Sequence, residues 1–220
     1  MFRITNFRLL AFSVGFLLGC NTLAVLAEEQ ATPDEFPEGY VAEAPLPQDF
    51  PIPSEPGKVI EKTYPVVRSY SATGTGAFMK CFAYLSANQY KMTAPVVMDL
   101  QPAAEADKAA SIDGMPAPVA RMHFLLEQNS LDKPQQVGEV QVADIPPLRV
   151  LSIAFHGETT AEKIKEGQSA LEARLAEMPS VARAGEYRVL GYNNPMIKRA
   201  KNLWELQLPI AEKSKSKYHH

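Results

Sequence analysis

Residues 74–101, GTGAFMKCFAYLSANQYKMTAPVVMDLQ, decide the fold. Phe78, Cys81, Phe82 and Leu85 recur at the i, i+3, i+4, i+7 spacing that gathers side chains on one helical face, so 74–88 reads as an amphipathic helix. Pro95 then fixes the backbone, Thr93 is placed to bond a neighbouring backbone group, and the β-branched run that follows makes 94–101 a strand. Working outward, 59–71 reads as two short strands joined at Tyr64-Pro65, with Val67 and Tyr70 available to a core, and 119–127 reads as another strand. Strands are also expected at 140–142, 148–155, 187–192 and 203–208. The second helix, 159–178, carries a capping box at Thr159 and Glu162 and an apolar stripe of Ile164, Leu171, Leu175 and Met178.

The halves 59–127 and 140–208 repeat one order: strand, helix, then a pair of strands. Runs of strands interrupted by only two helices predict an α+β domain, a curved and mainly antiparallel sheet with the helices packed on it. About 160 residues is enough chain for one such core.

Composition sets the limits around that domain. With 46% hydrophobic and 21% charged residues, the 220-residue chain is ordinary globular material, which excludes a fibre or a wholly disordered protein. Two cysteines, Cys20 and Cys81, exclude a disulfide framework, and Cys81 reads as a buried, inert thiol. The net charge of −3 is the sum of unlike blocks: +2 over 1–27, −8 over 28–57 and +3 over 58–220. The near-neutral main block lacks the concentrated basic face that a nucleic-acid backbone requires, so no nucleic-acid partner is expected.

Residues 1–27 read as a signal peptide, with Arg3 and Arg8 ahead of an apolar run too short to span a bilayer permanently. Val25-Leu26-Ala27 favours cleavage after Ala27. Leu17-Leu18-Gly19-Cys20 offers a second route, a lipoprotein anchored to a membrane through Cys20. Either route puts the protein outside the cytoplasm, in the periplasm or secreted. Residues 28–57 hold seven of the eighteen prolines and eight acids without a base, so they read as an acidic, extended and mostly disordered leader. Residues 211–220 read as a solvated tail. The mature protein is read as a monomer.

Particular strings add to this. Ala77-Phe78-Met79 followed by Lys91-Met92-Thr93-Ala94-Pro95-Val96 resembles the central signature of the SOUL heme-binding family. Met122-His123-Phe124-Leu125-Leu126, Phe155-His156-Gly157, Tyr192-Asn193-Asn194-Pro195 and Asn202-Leu203-Trp204-Glu205 resemble its later motifs, so the likeness runs over most of 58–210. The resemblance implies a twisted eight-stranded sheet or distorted barrel with two helices, related to gyrase-inhibitor-like domains. It also implies that heme or another tetrapyrrole is held non-covalently in an apolar groove.

The candidate groove residues are His123, His156, Met92, Thr93, Tyr192 and Glu205. Axial ligation of heme iron asks for His, Met, Cys or Tyr in an apolar groove, and His123 is the candidate metal ligand. It alternates with Arg121 and Leu125, so if Met122, Phe124 and Leu126 pack beneath the helices it lies on the opposite, open face; otherwise it is a half-exposed strand histidine. His156 shares a face of small residues with Ser152 and Ala154, and its bland reading is a turn histidine bonding local backbone. Met92 to Val96 reads either as a ligand-contacting strand entry or as a rigid turn. Trp204, with Leu206 and Leu208, reads as core, which turns Glu205 the other way as a solvated edge carboxylate or a general base.

Signatures of a serine hydrolase elbow, a zinc protease helix and a phosphate loop are missing. Ser152 and His156, four residues apart on a strand, lie about 13 Å apart and form no dyad. The reading is a non-enzymatic heme-binding protein. Its rivals are a hydrolase of the same fold using Glu205, and an envelope interaction module holding a peptide or lipid.

Overall fold

The computed structural model describes residues 36–102, 115–194 and 201–213. The expected signal peptide, Cys20, residues 28–35, Pro195 and 214–220 lie outside the described residues. The chain runs β1 (Val59–Tyr64), β2 (Val67–Ala72), α1 (Ala77–Ala87), β3 (Val96–Leu100), β4 (Val119–Leu125), β5 (Gln135–Val137) and β6 (Val140–Ile145). It continues through β7 (Leu148–His156), α2 (Ala161–Ala176), β8 (Val181–Arg183), β9 (Arg188–Gly191) and β10 (Leu203–Glu212). The class is α+β as expected, with an open antiparallel sheet ordered β1-β7-β10-β9-β3-β4-β2-β6-β5 and β8 paired to β10. Ten strands replace the expected eight. The additions, β5 and β8, are three residues each, too short to show a hydrophobic period. β10 extends to Glu212, so the start of the expected tail belongs to the sheet, paired with β8.

The repeat read from sequence becomes a pseudo-two-fold arrangement. In each half the first strand crosses over: β1 pairs with β7 of the second half, and β6 pairs with β2 of the first. The halves meet where Val96–Asp99 of β3 pair antiparallel with Arg188–Gly191 of β9.

Local chemistry sets the helix ends. α1 begins at Ala77, later than the apolar period suggests, because Gly76 sits at φ 73°, in the left-handed region that only glycine adopts cheaply. α2 is capped by Thr160, one residue beyond the expected Thr159. The Thr160 hydroxyl accepts the Lys163 N–H, and Glu162 lies in the first turn, where the helix dipole favours an anion. Ala77, Cys81 and Leu85 of α1 and Ile164, Gly167 and Leu171 of α2 are buried. Phe78 packs at the margin of that core while Phe82 is 42% exposed, so the apolar face of α1 is only partly covered. α1 lies on β2, β4 and β6, and α2 on β1, β7, β8 and β10.

Residues 36–57 are not the disordered leader expected from their prolines and acids. They form a strap across the sheet face opposite the helices. The prolines keep it extended, as the composition dictates. What holds it in place is bonding to distant strands: the Ala94 N–H donates to the Pro45 carbonyl (2.9 Å), the Gln48 N–H to that of Glu127 (3.0 Å) and the Gly57 N–H to that of Ala154 (2.9 Å). Phe50 supplies the apolar anchor, buried against the Tyr64 ring at 4.7 Å in a second core with Val97, Leu125, Val150 and Leu190.

Two stability outcomes follow from these contacts. Phe50→Ala should cost about 3 kcal/mol, as for a buried phenylalanine, in urea unfolding; a cost within the ~0.5 kcal/mol of surface changes would show that the strap is not part of the cooperative fold. A Cβ on Gly167 would stand 2.9 Å from Leu206 Cδ2 and 3.1 Å from Phe155 Cε2. Gly167→Ala should therefore destabilise by roughly 1 kcal/mol, the clash outweighing the better helix propensity of alanine.

Candidate functional site

With the helices over the two flanks of the sheet, its centre at β9 and β3 has no helix above it. Two adjoining cavities fill that gap, of about 600 and 470 Å³, both walled by Phe78, Val96, Gly191 and Asn193. The smaller is rich in thioethers and lined by no charged side chain, with Met79, Met98, Met115, Met122 and Trp204 beside Thr159, Asn193 and Asn202. The larger runs to the strap and is lined by Phe82, Met92, Thr93 and Tyr192, with Glu43, Lys91 and Asn194 at its polar end. Five of the chain's eight methionines, Met79, Met92, Met98, Met115 and Met122, line one cavity or the other. Thioether side chains adapt to irregular apolar ligands and contact aromatic rings favourably. Both volumes fall within the range of about 300–1,000 Å³ typical of small-molecule sites.

The expected site residues separate into three groups. Met92, Thr93 and Tyr192 reach the groove. Thr93 is also structural, its hydroxyl donating to the Leu125 carbonyl at 2.6 Å, next to the cis Ala94-Pro95 peptide. The Met92 to Val96 segment is a fixed turn, as one of its two readings had it, and its inner side borders the cavity.

His123 does not reach it. As its alternation implied, it lies on the face away from the helices, but the groove lies on the helix side, and the face once expected to be open carries the strap and the second core. Both ring nitrogens are engaged, Nε2 with Asp99 Oδ2 at 2.8 Å and Nδ1 with Ser69 Oγ at 3.4 Å. Asp99 is drawn two ways: burial raises its carboxyl, and the His123 bond with the charges of Arg188 and Arg121 lowers it further, leaving it below the ordinary carboxylate range. The order Ser–His–Asp resembles an acyl-transfer triad, but Ser69 is 2% exposed and bonds weakly, so it offers no substrate a nucleophile. His156 also stands apart, its Nε2 facing the Glu38 carbonyl of the strap at 3.3 Å.

Glu205 is the largest correction. β10 is an interior strand between β7 and β9, so its side chain cannot be a solvated edge carboxylate, and it is fully buried. Oε1 accepts from Lys62 Nζ (2.6 Å) and from the Ser54 N–H of the strap. Oε2 accepts from Ser152 Oγ (3.1 Å), Tyr192 OH (3.1 Å) and Gln207 Nε2 (3.0 Å). Lys62, itself buried, also donates to the Ile52 carbonyl at 2.7 Å. Burial pushes the Glu205 carboxyl up, but the Lys62 charge and the N–H of Ser54 outweigh it and hold it below its ordinary value. The same burial lowers the Lys62 ammonium against the opposing pull of Glu205. Tyr64 OH adds a long contact at 3.5 Å, and an ionised carboxylate with six donors, one of them the Lys62 cation, is no general base. It also lies against Ser152, on the face of small residues that the sequence groups with His156. The buried thiol of Cys81 is pushed up to about 12, as an inert cysteine requires.

Sequence reasoning missed Lys62, Arg188 and the groove role of Met98, Met115 and Trp204. Lys62 alternates with Ile60 and Tyr64 along β1, and a lysine on that otherwise apolar face was the available signal for a buried partner acid.

Fold and site together describe a two-helix α+β domain with a helix-free gap, lined by thioethers, over the centre of its sheet. The sequence profile of the SOUL heme-binding protein family matches residues 54–206, and the chain belongs to that family. No curated protein matches it. Solved structures are similar to it at low identity. An uncharacterized conserved protein from Listeria innocua is 10% identical with a TM-score of 0.50, covering 71% of this chain and 93% of its own. A hydrolase from Listeria innocua is 10% identical (TM-score 0.48, 72% and 94% covered), and the C-terminal domain of EcmrR is 12% identical (TM-score 0.48, 71% and 98% covered).

Glu205→Gln should cost about 3–5 kcal/mol by leaving Lys62 buried without its counter-charge. Because the folded carboxyl lies below its unfolded value near 4.3, its contribution is complete above that pH and is lost as pH falls through the folded value. Acid unfolding followed by circular dichroism should therefore show a steeper pH dependence below about pH 4 in the wild type than in Glu205→Gln, which keeps only the share of carboxylates such as Asp99.

Proposed function

We propose that this protein binds a tetrapyrrole, heme foremost, non-covalently in the groove beside α1 over β3 and β9, without catalysing a reaction. The observation that carries this reading is the helix-free gap over β9 and β3, in a chain of the SOUL heme-binding family. The lining suits the group. Phe78, Phe82 and Trp204 offer aromatic faces and edges to a planar ring, and the methionines fill around its rim. Trp204 Nε1, buried at the wall of the smaller cavity, has no acceptor among the described residues and would donate to one on a ligand. When bound, heme would supply an iron whose available protein ligands in the groove are thioethers, since Tyr192 OH is committed to Glu205. We further propose that the protein acts outside the cytoplasm, after removal or lipidation of its N-terminal segment. Glu205, paired as described, does not favour the hydrolase reading.

Titration of the purified protein with ferric heme should saturate near one equivalent with a shifted Soret band. Trp204, the single tryptophan, should be quenched in step. Met79 is 60% exposed, so Met79→Asp should fold normally and weaken binding. His123→Ala and His156→Ala should leave the spectrum of the complex unchanged. A linear response like that of an unrelated protein would remove heme as the ligand, and a Soret shift lost with His123 would put the ring on the strap side of the sheet.

A further inference from the structure

Charge is confined to one of the two cavities: Lys91 and Glu43 line the larger, together with Asn193 and Asn194, and no charged side chain lines the smaller. Lys91 is exposed and forms no salt bridge among the described residues, although Glu43 lines the same cavity. Glu43 instead turns its Oε2 onto the Asn194 N–H at 2.8 Å, with Asn193 Nδ2 at 3.4 Å. Asn193 is itself fixed: its Nδ2 donates to the Val41 carbonyl and its Oδ1 accepts the Leu203 N–H, both at 2.9 Å. A strap carboxylate thus sits on a rigid N–H donor, beside a cation that it does not neutralise.

Resting on the tetrapyrrole reading above, we propose that this end of the groove is a carboxylate subsite. It is made by Lys91 and the Asn194 N–H, and Glu43 occupies it as an internal competitor. A ligand bearing an ionised side-chain carboxylate lays its ring against the thioether end and its carboxylate at Lys91, displacing Glu43 from Asn194. Ligand affinity is then set by the strap as well as by the apolar wall. The two residues act in opposite directions: Lys91 attracts the incoming anion, and Glu43 repels it and holds its donor. An ester of the same ring meets neither effect.

The test is titration of the purified protein with ferric protoporphyrin IX and with its dimethyl ester, in the wild type, Lys91→Gln and Glu43→Gln. Lys91→Gln should weaken binding of the diacid about three- to fivefold, the order expected of one partly exposed charge pair, and Glu43→Gln should tighten it by a similar factor. Binding of the diester should be the same in all three proteins, which also reports that both variants keep the groove. Unchanged diacid affinity in both variants, or equal changes for diacid and diester, would overturn the subsite and leave the heme reading standing. If neither compound binds the wild type, the tetrapyrrole reading falls and the subsite falls with it.

Discussion

The antiparallel pairing of β3 with β9 is the seam of this molecule. It joins two halves that have each lent their first strand to the other, so neither half holds a complete sheet alone. Each helix packs over its own flank, and the seam is left without a helix above it. Apolar side chains pointing up from the seam, Val96, Met98 and Val189, therefore form the floor of a groove instead of the middle of a core. The same alternation sends Asp99 and Arg188 to the other face.

That other face is ionic to a degree unusual for a buried surface. Signs alternate across it from Lys62 and Glu205 to Arg188, Asp99 and His123, with the Tyr64 ring 6.0 Å from the Arg188 guanidinium. Such groups are costly to bury, and an apolar replacement of the pair would often be as stable. Their effect here is on register. Glu205 accepts a hydrogen bond from the Ser54 N–H and Lys62 donates one to the Ile52 carbonyl, so a strap displaced by one residue would leave both charges short of partners. An apolar face would tolerate such a slip far better.

What the sequence revealed depended on whether a residue's environment is local. The helices, the main strands and the burial of Cys81 and Trp204 were readable because periodicity of 3.6 or 2 reports a face directly. The face of His123 was readable too; the side on which the groove opens was not, because that depends on where the helices sit relative to the seam. Glu205 was misread for a similar reason. Its strand looked like an edge at the end of the chain, whereas strand order puts it in the interior. The strap was hidden by its own composition. Prolines and acids dominate it, and Phe50, its anchor, belongs to no repeating pattern. Met92, Thr93 and Tyr192 were found through motifs, and Met98 and Trp204 were seen only as core, which they also are.

The strap has a consequence for the order in which this chain can become a protein. Ser54 emerges from the ribosome early, and its partner Glu205 lies 151 residues later, near the end of the described chain. Until β10 is made, the strap has half a docking site, Lys62 has no counter-charge and β9 has only one neighbour. A nascent chain therefore has little to gain by folding early. The first described segment is fixed in place by the last described strand, so the face opposite the helices can close only once Leu203–Glu212 is present.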